Sequence, residues 1–261
     1  MGGRGLWALR RRNFAADRRE LQGVIRNRAT MNARAAAGGG GETDTNTTVT
    51  LSNGARVTGS EAAIKRALGN EWTLESAALT FGASKGSVVT ITASGNEVRS
   101  RNVNERNNIA SNCRMVRDSQ GVTFHGDGLG PARATDTNNM GGRGILPIVK
   151  GLREAVNNGS VNRFSTTAAG SAGSRYTGSK FWAEMGASAP LNTIYGLAPR
   201  PAALSSARTV AELIQMPGGK TWWSTNRQTF SGKIDFRQKS TPEYKLASKF
   251  LGLGRASRRR S

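Results

Sequence analysis

GSVVTITASG at residues 86–95 sets Val88, Thr90 and Thr92 against Val89, Ile91 and Ala93, with glycine at either end. A period of two sends alternate side chains to opposite faces, so this stretch reads as a strand with one face turned inward. Shorter β candidates lie around it at Ala78 to Phe81, Glu97 to Val103, Cys113 to Val116 and Val122 to His125. Upstream, TNTTVTLSNGARVTG at 45–59 flanks Asn53 and Gly54 with β-branched residues. That dipeptide suits a two-residue type I′ turn, because both positions accept positive φ. The 33 glycines and many Asn, Ser and Thr favour turns and sheet over a helical bundle. The expected body is mainly β with added helices (α+β) and β-sandwich-like.

Helical segments are readable from caps and spacing. SEAAIKRALG offers Ser60 as N-cap, Glu61 in the first turn and Gly69 as the stop. Ile145, Ile148, Val149, Leu152 and Val156 recur at helical spacing, which predicts a helix over 145–157. Ser206 is placed to cap a helix through Val210, Leu213 and Ile214, stopped by Pro217. Thr241, Pro242 and Glu243 open a last helix with apolar Leu246, Phe250 and Leu251, and Gly252 closes it. Between these, Lys220 to Ser224 and Lys233 to Arg237 read as strands.

Charge is spread unevenly along the chain. Residues 1–41 hold nine Arg against Asp17 and Glu20, and residues 245–261 hold six basic residues and no acid. The ends thus supply +7 and +6 of a total of +21. AAAGGGG at 35–41 reads as a flexible hinge, since consecutive glycines have no side chains with which to dock. The expected layout is a flexible basic arm and hinge over 1–41, a folded body over 42–244, and a terminal helix end with a basic tail over 245–261. Arg4, Arg10, Arg11, Arg12, Arg18, Arg19, Arg26, Arg28 and Arg34 of the arm, with Arg255, Arg258, Arg259 and Arg260 of the tail, are the candidate nucleic-acid contacts. Arg dominates over Lys in these segments, which fits bidentate phosphate contacts and stacking on unpaired bases. Solubility alone would be served better by acids.

Other chemistries are poorly provided for. The longest apolar runs, such as ILPIV at 145–149, fall far short of the roughly 18–20 residues of a membrane span. Leu6 to Leu9 run straight into Arg10, Arg11 and Arg12, which is no secretory signal, whereas an Arg-rich, acid-free first 16 residues suit a mitochondrial leader. Cys113 is alone, so it forms no intramolecular disulfide and no thiolate cluster. His125, the single histidine, lies in TFHGDG beside Asp127, but no G-x-S-x-G elbow nominates a serine partner. GDGLG at 126–130 and GGRG at 141–144, the latter with Arg143 before a helix, resemble phosphate loops without the Lys and Ser/Thr of a P-loop. Glu42, Asp44 and Asn46 offer three oxygens to a cation that needs six to eight, and read as solvated linker. Trp222 and Trp223, between Lys220 and Arg227, would point to opposite faces of a strand, leaving at most one for base stacking. Trp72 and Trp182 read as core or as a subunit contact. No catalytic residue, metal ligand or cofactor is assigned.

A flexible arginine arm, a glycine hinge and a body of short strands with Asn/Thr/Gly turns resemble the coat proteins of small RNA viruses. The likeness is one of layout, over residues 1–130, and not of a diagnostic motif. It implies a non-enzymatic structural protein that binds nucleic acid, RNA favoured, without reading its sequence, and that assembles with copies of itself. The implied location is the virion and host cytoplasm, or the nucleus, with no membrane insertion. The helices between 145 and 252 leave a mainly helical nucleocapsid body as the alternative fold. An organellar ribosomal protein with a cleaved mitochondrial leader, or a viral RNA-binding movement or silencing-suppressor protein, would show the same charges.

Overall fold

β1 (Thr47–Thr50), β2 (Arg56–Gly59), β3 (Ser87–Ser94), β4 (Glu97–Asn104), β5 (Ile109–Asp118), β6 (Gly121–Pro131), β7 (Arg163–Ala168) and β8 (Phe230–Asp235) join in chain order into one eight-stranded sheet. The computed structural model describes residues 44–104, 109–131, 145–174 and 178–254. The chain divides into two units, Met1–Thr43 and Asp44–Ser261, of which the first, with the arm and hinge, lies outside the described residues. The pairs β2–β3 and β6–β7 are parallel, and the other five are antiparallel. Parallel neighbours need a crossover. α1 (Glu61–Leu68) and α2 (Leu74–Thr80) make the first, and α3 (Leu146–Asn157) belongs to the second. α4 (Gly178–Met185), α5 (Val210–Gln215) and α6 (Gly219–Asn226) lie between β7 and β8, and α7 (Pro242–Leu251) follows.

The alternation in 86–95 continues across the sheet. Val89 and Ile91 of β3, Val98 of β4, Met115 of β5, Phe124 of β6, Phe164 of β7 and Ile234 of β8 are all buried, and the register places them on one face. Helices cover that face. Ring contacts run from Phe81, at the end of α2, to Phe124 (5.9 Å), on to Phe164 (6.1 Å) and to Trp182 of α4 (5.1 Å), tying both helical groups to the sheet centre. Asn102 and Asn104 also point inward, where Asn102 Nδ2 donates to Gly82 O (3.1 Å) and Asn104 Nδ2 to Lys85 O (3.1 Å). These amides fasten the α2–β3 loop to the strand ends, satisfying carbonyls that burial would otherwise strand. The α2–α3 contact is equally close: a Cβ at Gly151 would stand 2.0 Å from Leu79 O.

The β-sandwich-like body is therefore corrected to a mixed α+β fold with one open sheet. Strand alternation states that one face is covered, but the same pattern serves whether a second sheet or a helical layer does the covering. The mainly helical alternative fails on the sheet itself. Ala78 to Phe81 is not a strand, because Thr73 and Ser76 form a capping box that starts α2, and Leu74, Ala77 and Ala78 are buried at helical spacing. Lys220 to Ser224 is likewise helical, in α6. α5 takes its cap from Thr209, paired reciprocally with Glu212, instead of Ser206. α1 capped by Ser60, and α7 started by Thr241 and closed at Gly252, match the sequence reading. Ala247 and Leu251 of α7 are buried in the core.

The β1–β2 hairpin forms with a different turn. Leu51 N donates to Ala55 O (2.8 Å) and Gly54 N to Leu51 O (2.8 Å), leaving a three-residue loop, Ser52 to Gly54. Gly54 has φ 82, while the Asn53 side chain accepts from Ala55 N (2.9 Å) and donates to Ala83 O (3.1 Å). A three-residue loop with glycine in the left-handed position is the next commonest hairpin after the two-residue turns. The nearest atom to a Cβ at Gly54 is Lys85 Cγ, 3.7 Å away, so Gly54→Ala meets backbone strain without a clash. Thermal or urea unfolding should register a loss of about 1 kcal/mol.

Candidate nucleic-acid interface

The second face of the sheet carries the alternate residues of the strands, and among the described residues the helices pack on the opposite face. Following the register inward from β3, Thr92 faces Arg99, Arg99 faces Arg114, Arg114 faces His125, His125 faces Ser165, and Ser165 faces Lys233. This row crosses strands β3 to β8, a span of roughly 24 Å at about 4.8 Å per strand gap. Beside it runs a second row of Thr58, Thr90, Arg101 and Asn112. Arg56 lies beyond, opposite Val88. Hydroxyls and amides stand between the cations, with Val88, Val103 and Val116 on the same face. Among the described residues on this face the one aromatic ring is the half-buried imidazole of His125.

The charges on the face are unequally engaged. Arg99 pairs with Glu97, and Arg114 Nε stands 3.0 Å from Asp127 with its NH1 3.7 Å from Glu97. Glu97 and Asp127 thus relieve the like-charge opposition of two arginines on adjacent strands. Arg163 pairs with Asp118, whose carboxyl is held below its usual range by that guanidinium. Asp235 is held low in the same way by Arg237, at Nε–Oδ1 2.9 Å and NH2–Oδ2 2.6 Å. These acids gather along one margin. Arg56, Arg101 and Lys233 are exposed and take part in no ion pair among the described residues.

His125 lies in mid-strand, with Nδ1 2.7 Å from Ser165 Oγ. Burial pushes its pKa down to about 4, and nearby Arg114 pushes the same way while Glu97 opposes. The ring is therefore neutral at pH 7. Asp127 does not orient it, being turned to Arg114, and burial raises that carboxyl against the pull of the guanidinium. Among the described residues the Ser165–His125 pair thus has no carboxylate holding the ring in a base's tautomer, as a triad requires. What the arrangement offers is a polar seat ringed by three cations, Arg114, Arg163 and Lys233.

The other sequence candidates fall elsewhere. GDGLG at 126–130 is part of β6, next to a register shift at Asn112/Cys113, and is not a loop. Trp222 and Trp223 are on helix α6, not a strand; Trp223 is wholly buried with Nε1 donating to Ser179 O at 3.2 Å, and Trp222 is half-buried, so at most one of the two faces solvent. Trp72 and Trp182 are core residues. Asp44 pairs with Arg66, while Glu42 and the GGRG loop with Arg143 lie outside the described residues. So do Arg4, Arg10, Arg11, Arg12, Arg18, Arg19, Arg26, Arg28 and Arg34, and Arg255, Arg258, Arg259 and Arg260. Cys113 is buried on the helix-covered face, and burial raises its thiol pKa. Among the described residues no group of His, Cys, Asp and Glu is gathered to hold a metal ion, and no helix is long and apolar enough to cross a membrane.

A second basic cluster stands on the helical side, where Lys239, Lys245 and Lys249 line an open hollow of about 380 Å³ with Tyr244, Ser248 and Leu253. The sequence singled out the ends and missed Arg56, Arg99, Arg101, Arg114 and Lys233. The signal was present in VRSRN at 98–102, where arginine takes the positions between inward Val98, Ser100 and Asn102. Comparison with protein-family models, with characterised proteins and with solved structures gave no match.

Proposed function

We propose that this chain is a non-enzymatic structural protein that coats single-stranded nucleic acid, RNA in preference, and packs against copies of itself, as a viral coat or nucleocapsid protein does. The observation that carries the reading is the sheet face that no described helix covers, where Arg56, Arg101, Arg99, Arg114 and Lys233 stand among Thr, Ser, Asn and Val side chains. A face of cations and hydroxyls whose one ring, His125, is half-buried fits phosphate and sugar, and such contacts position a strand without reading it. The arginines of the two ends add a sequence-independent electrostatic contribution to the same strand. Phosphate contacts release condensed counterions, about 0.7 each on a single strand, so six to ten of them weaken binding by roughly 3 × 10² to 2 × 10⁴ between 50 and 200 mM salt.

The test is a salt series on the full chain with uridine and adenine homopolymers and a mixed-sequence RNA. Near-equal affinities that fall together and steeply with salt are expected. Binding confined to one sequence, or indifferent to salt, would remove the reading.

A further inference from the structure

A sheet of eight strands in chain order has two outer edges, β1 and β8, and these are unlike. On β8, Lys233 N donates to Ser188 O (2.9 Å) and Ser188 N to Lys233 O (3.1 Å), so its middle is already occupied. β1 has all four residues exposed. Its inward groups follow from the register: Leu51 N bonds Ala55 O, and alternation then turns the N–H and C=O of Val49 and Thr47 toward β2. Those of Thr48 and Thr50 point outward with no strand beside them among the described residues.

Natural sheets blunt such an edge with lysine, proline, a bulge or a covering loop. β1 has no charge, no proline and no bulge, in a chain whose net charge is +21. We propose that β1 pairs antiparallel with β1 of a second copy, about a two-fold axis through Val49. Outward groups of Thr48 and Thr50 then bond those of Thr50 and Thr48 in the other copy, making four hydrogen bonds. Val49, 38% exposed, meets its own counterpart as the close non-hydrogen-bonded pair between them. A two-fold contact sets each residue near its like, so the one uncharged edge is where two strongly basic chains meet without opposing charges. Side chains directly opposite share a face, so both helical layers fall on one side. The two basic faces then run on as one surface of sixteen strands.

The proposal rests on the reading of the chain as a self-associating coat protein. A four-residue strand pair buries less than the roughly 1,200 Å² typical of stable interfaces, so pairing is weak in the free chain. A strand of nucleic acid lying across both faces strengthens it by raising the local concentration.

The native chain has one cysteine, Cys113, and it is buried, which makes cross-linking clean. The paired geometry holds the two Val49 Cα atoms about 4.5 Å apart, within disulfide range. With mild oxidant and a 40-nucleotide RNA, Val49→Cys should give covalent dimer at least about tenfold faster than Thr92→Cys, which sits exposed on the open face. Adding Thr48→Pro removes an outward donor while keeping every β1–β2 backbone bond and the net charge, losing only the Thr48–Thr58 hydroxyl contact (2.9 Å), and should return the rate to that of the control. A second variant, Thr50→Pro, serves if the first lowers the Tm. Cross-linking no faster than the control, or undiminished by proline in a folded chain, overturns the proposal; residues 1–43 of the same chain lying on β1 would give the first of these. RNA binding read on the same samples separates the two failures. Monomer that still binds RNA removes only the edge pairing, and dimer that ignores RNA removes only the coat reading.

Discussion

Changing Arg56, Arg101 and Lys233 together to glutamine lowers affinity for single-stranded RNA by roughly 10- to 100-fold at 0.15 M salt, and reduces the slope of log affinity against log salt by about 2. The size follows from three lost phosphate contacts at about 0.7 counterion each on a single strand. These cations are chosen because they are exposed and belong to no ion pair among the described residues, so glutamine leaves no acid stranded. Arg114→Gln would be a poorer choice, since it releases Asp127 and Glu97 into the same surface and adds repulsion to the lost contact. Lys150, exposed on α3 in the helical layer, is the control, and Lys150→Gln should change affinity by no more than about twofold. Fluorescence anisotropy with a labelled homopolymer reads all of these.

The triple variant also separates the face from the ends. Its thirteen terminal arginines remain intact, so binding carried by the ends alone would leave its affinity near that of the parent. Unchanged affinity in a folded triple variant would return the interface to residues 1–41 and 245–261, and the open face would need another explanation.

Legibility in the sequence followed the range of the interactions. α1 and α7 were readable because a cap, an acid in the first turn and a closing glycine are local chemistry, complete within about ten residues: Ser60 to Gly69, and Thr241 to Gly252. The strands β3 to β6 were readable as far as period two extends, but GDGLG hid the second half of β6, because glycines there mark a sheet position beside a register shift. Long-range facts were not readable. Nothing in Val89 or Phe124 says that Phe81 and Trp182 on helices, and not a second sheet, would cover them. Trp222 and Trp223 carry strand propensity, yet Trp223 buries itself as part of a helix that Pro217 and Gly218 set off from α5. The candidate interface depended on the same missing fact. Arg99 and Arg101 read as solvent-facing positions in any fold, and only the row from Thr92 to Lys233 makes them one surface.

His125 reports on that surface from within it, being the only histidine in the chain. In the free protein its ring titrates at about 4 against the usual 6.5, first because it is half-buried and next because of Arg114, with Arg163 and Lys233 adding to the push. A phosphate seated among those three cations offsets their charge, so the ring pKa should rise by at least about one unit when the face is saturated with a short oligonucleotide. Proton NMR resolves the single ring signal in both states. Linkage makes the effect reciprocal: if binding restores the ordinary value, affinity at pH 5 exceeds that at pH 7 by about twentyfold, before any change in the strand's own charge. The same ring shapes stability in the free chain. Between about 4 and 6.5 the unfolded state holds a proton that the folded state does not, so the contribution is complete above 6.5 and is lost as pH falls toward 4. Solvent on the exposed side of the ring limits that loss to about 1–2 kcal/mol, which His125→Asn should largely abolish in a pH series of urea unfolding. A ring signal that keeps its midpoint while the oligonucleotide is bound would put the phosphates away from the row that joins Arg114 to Lys233, on the arginine-rich ends alone.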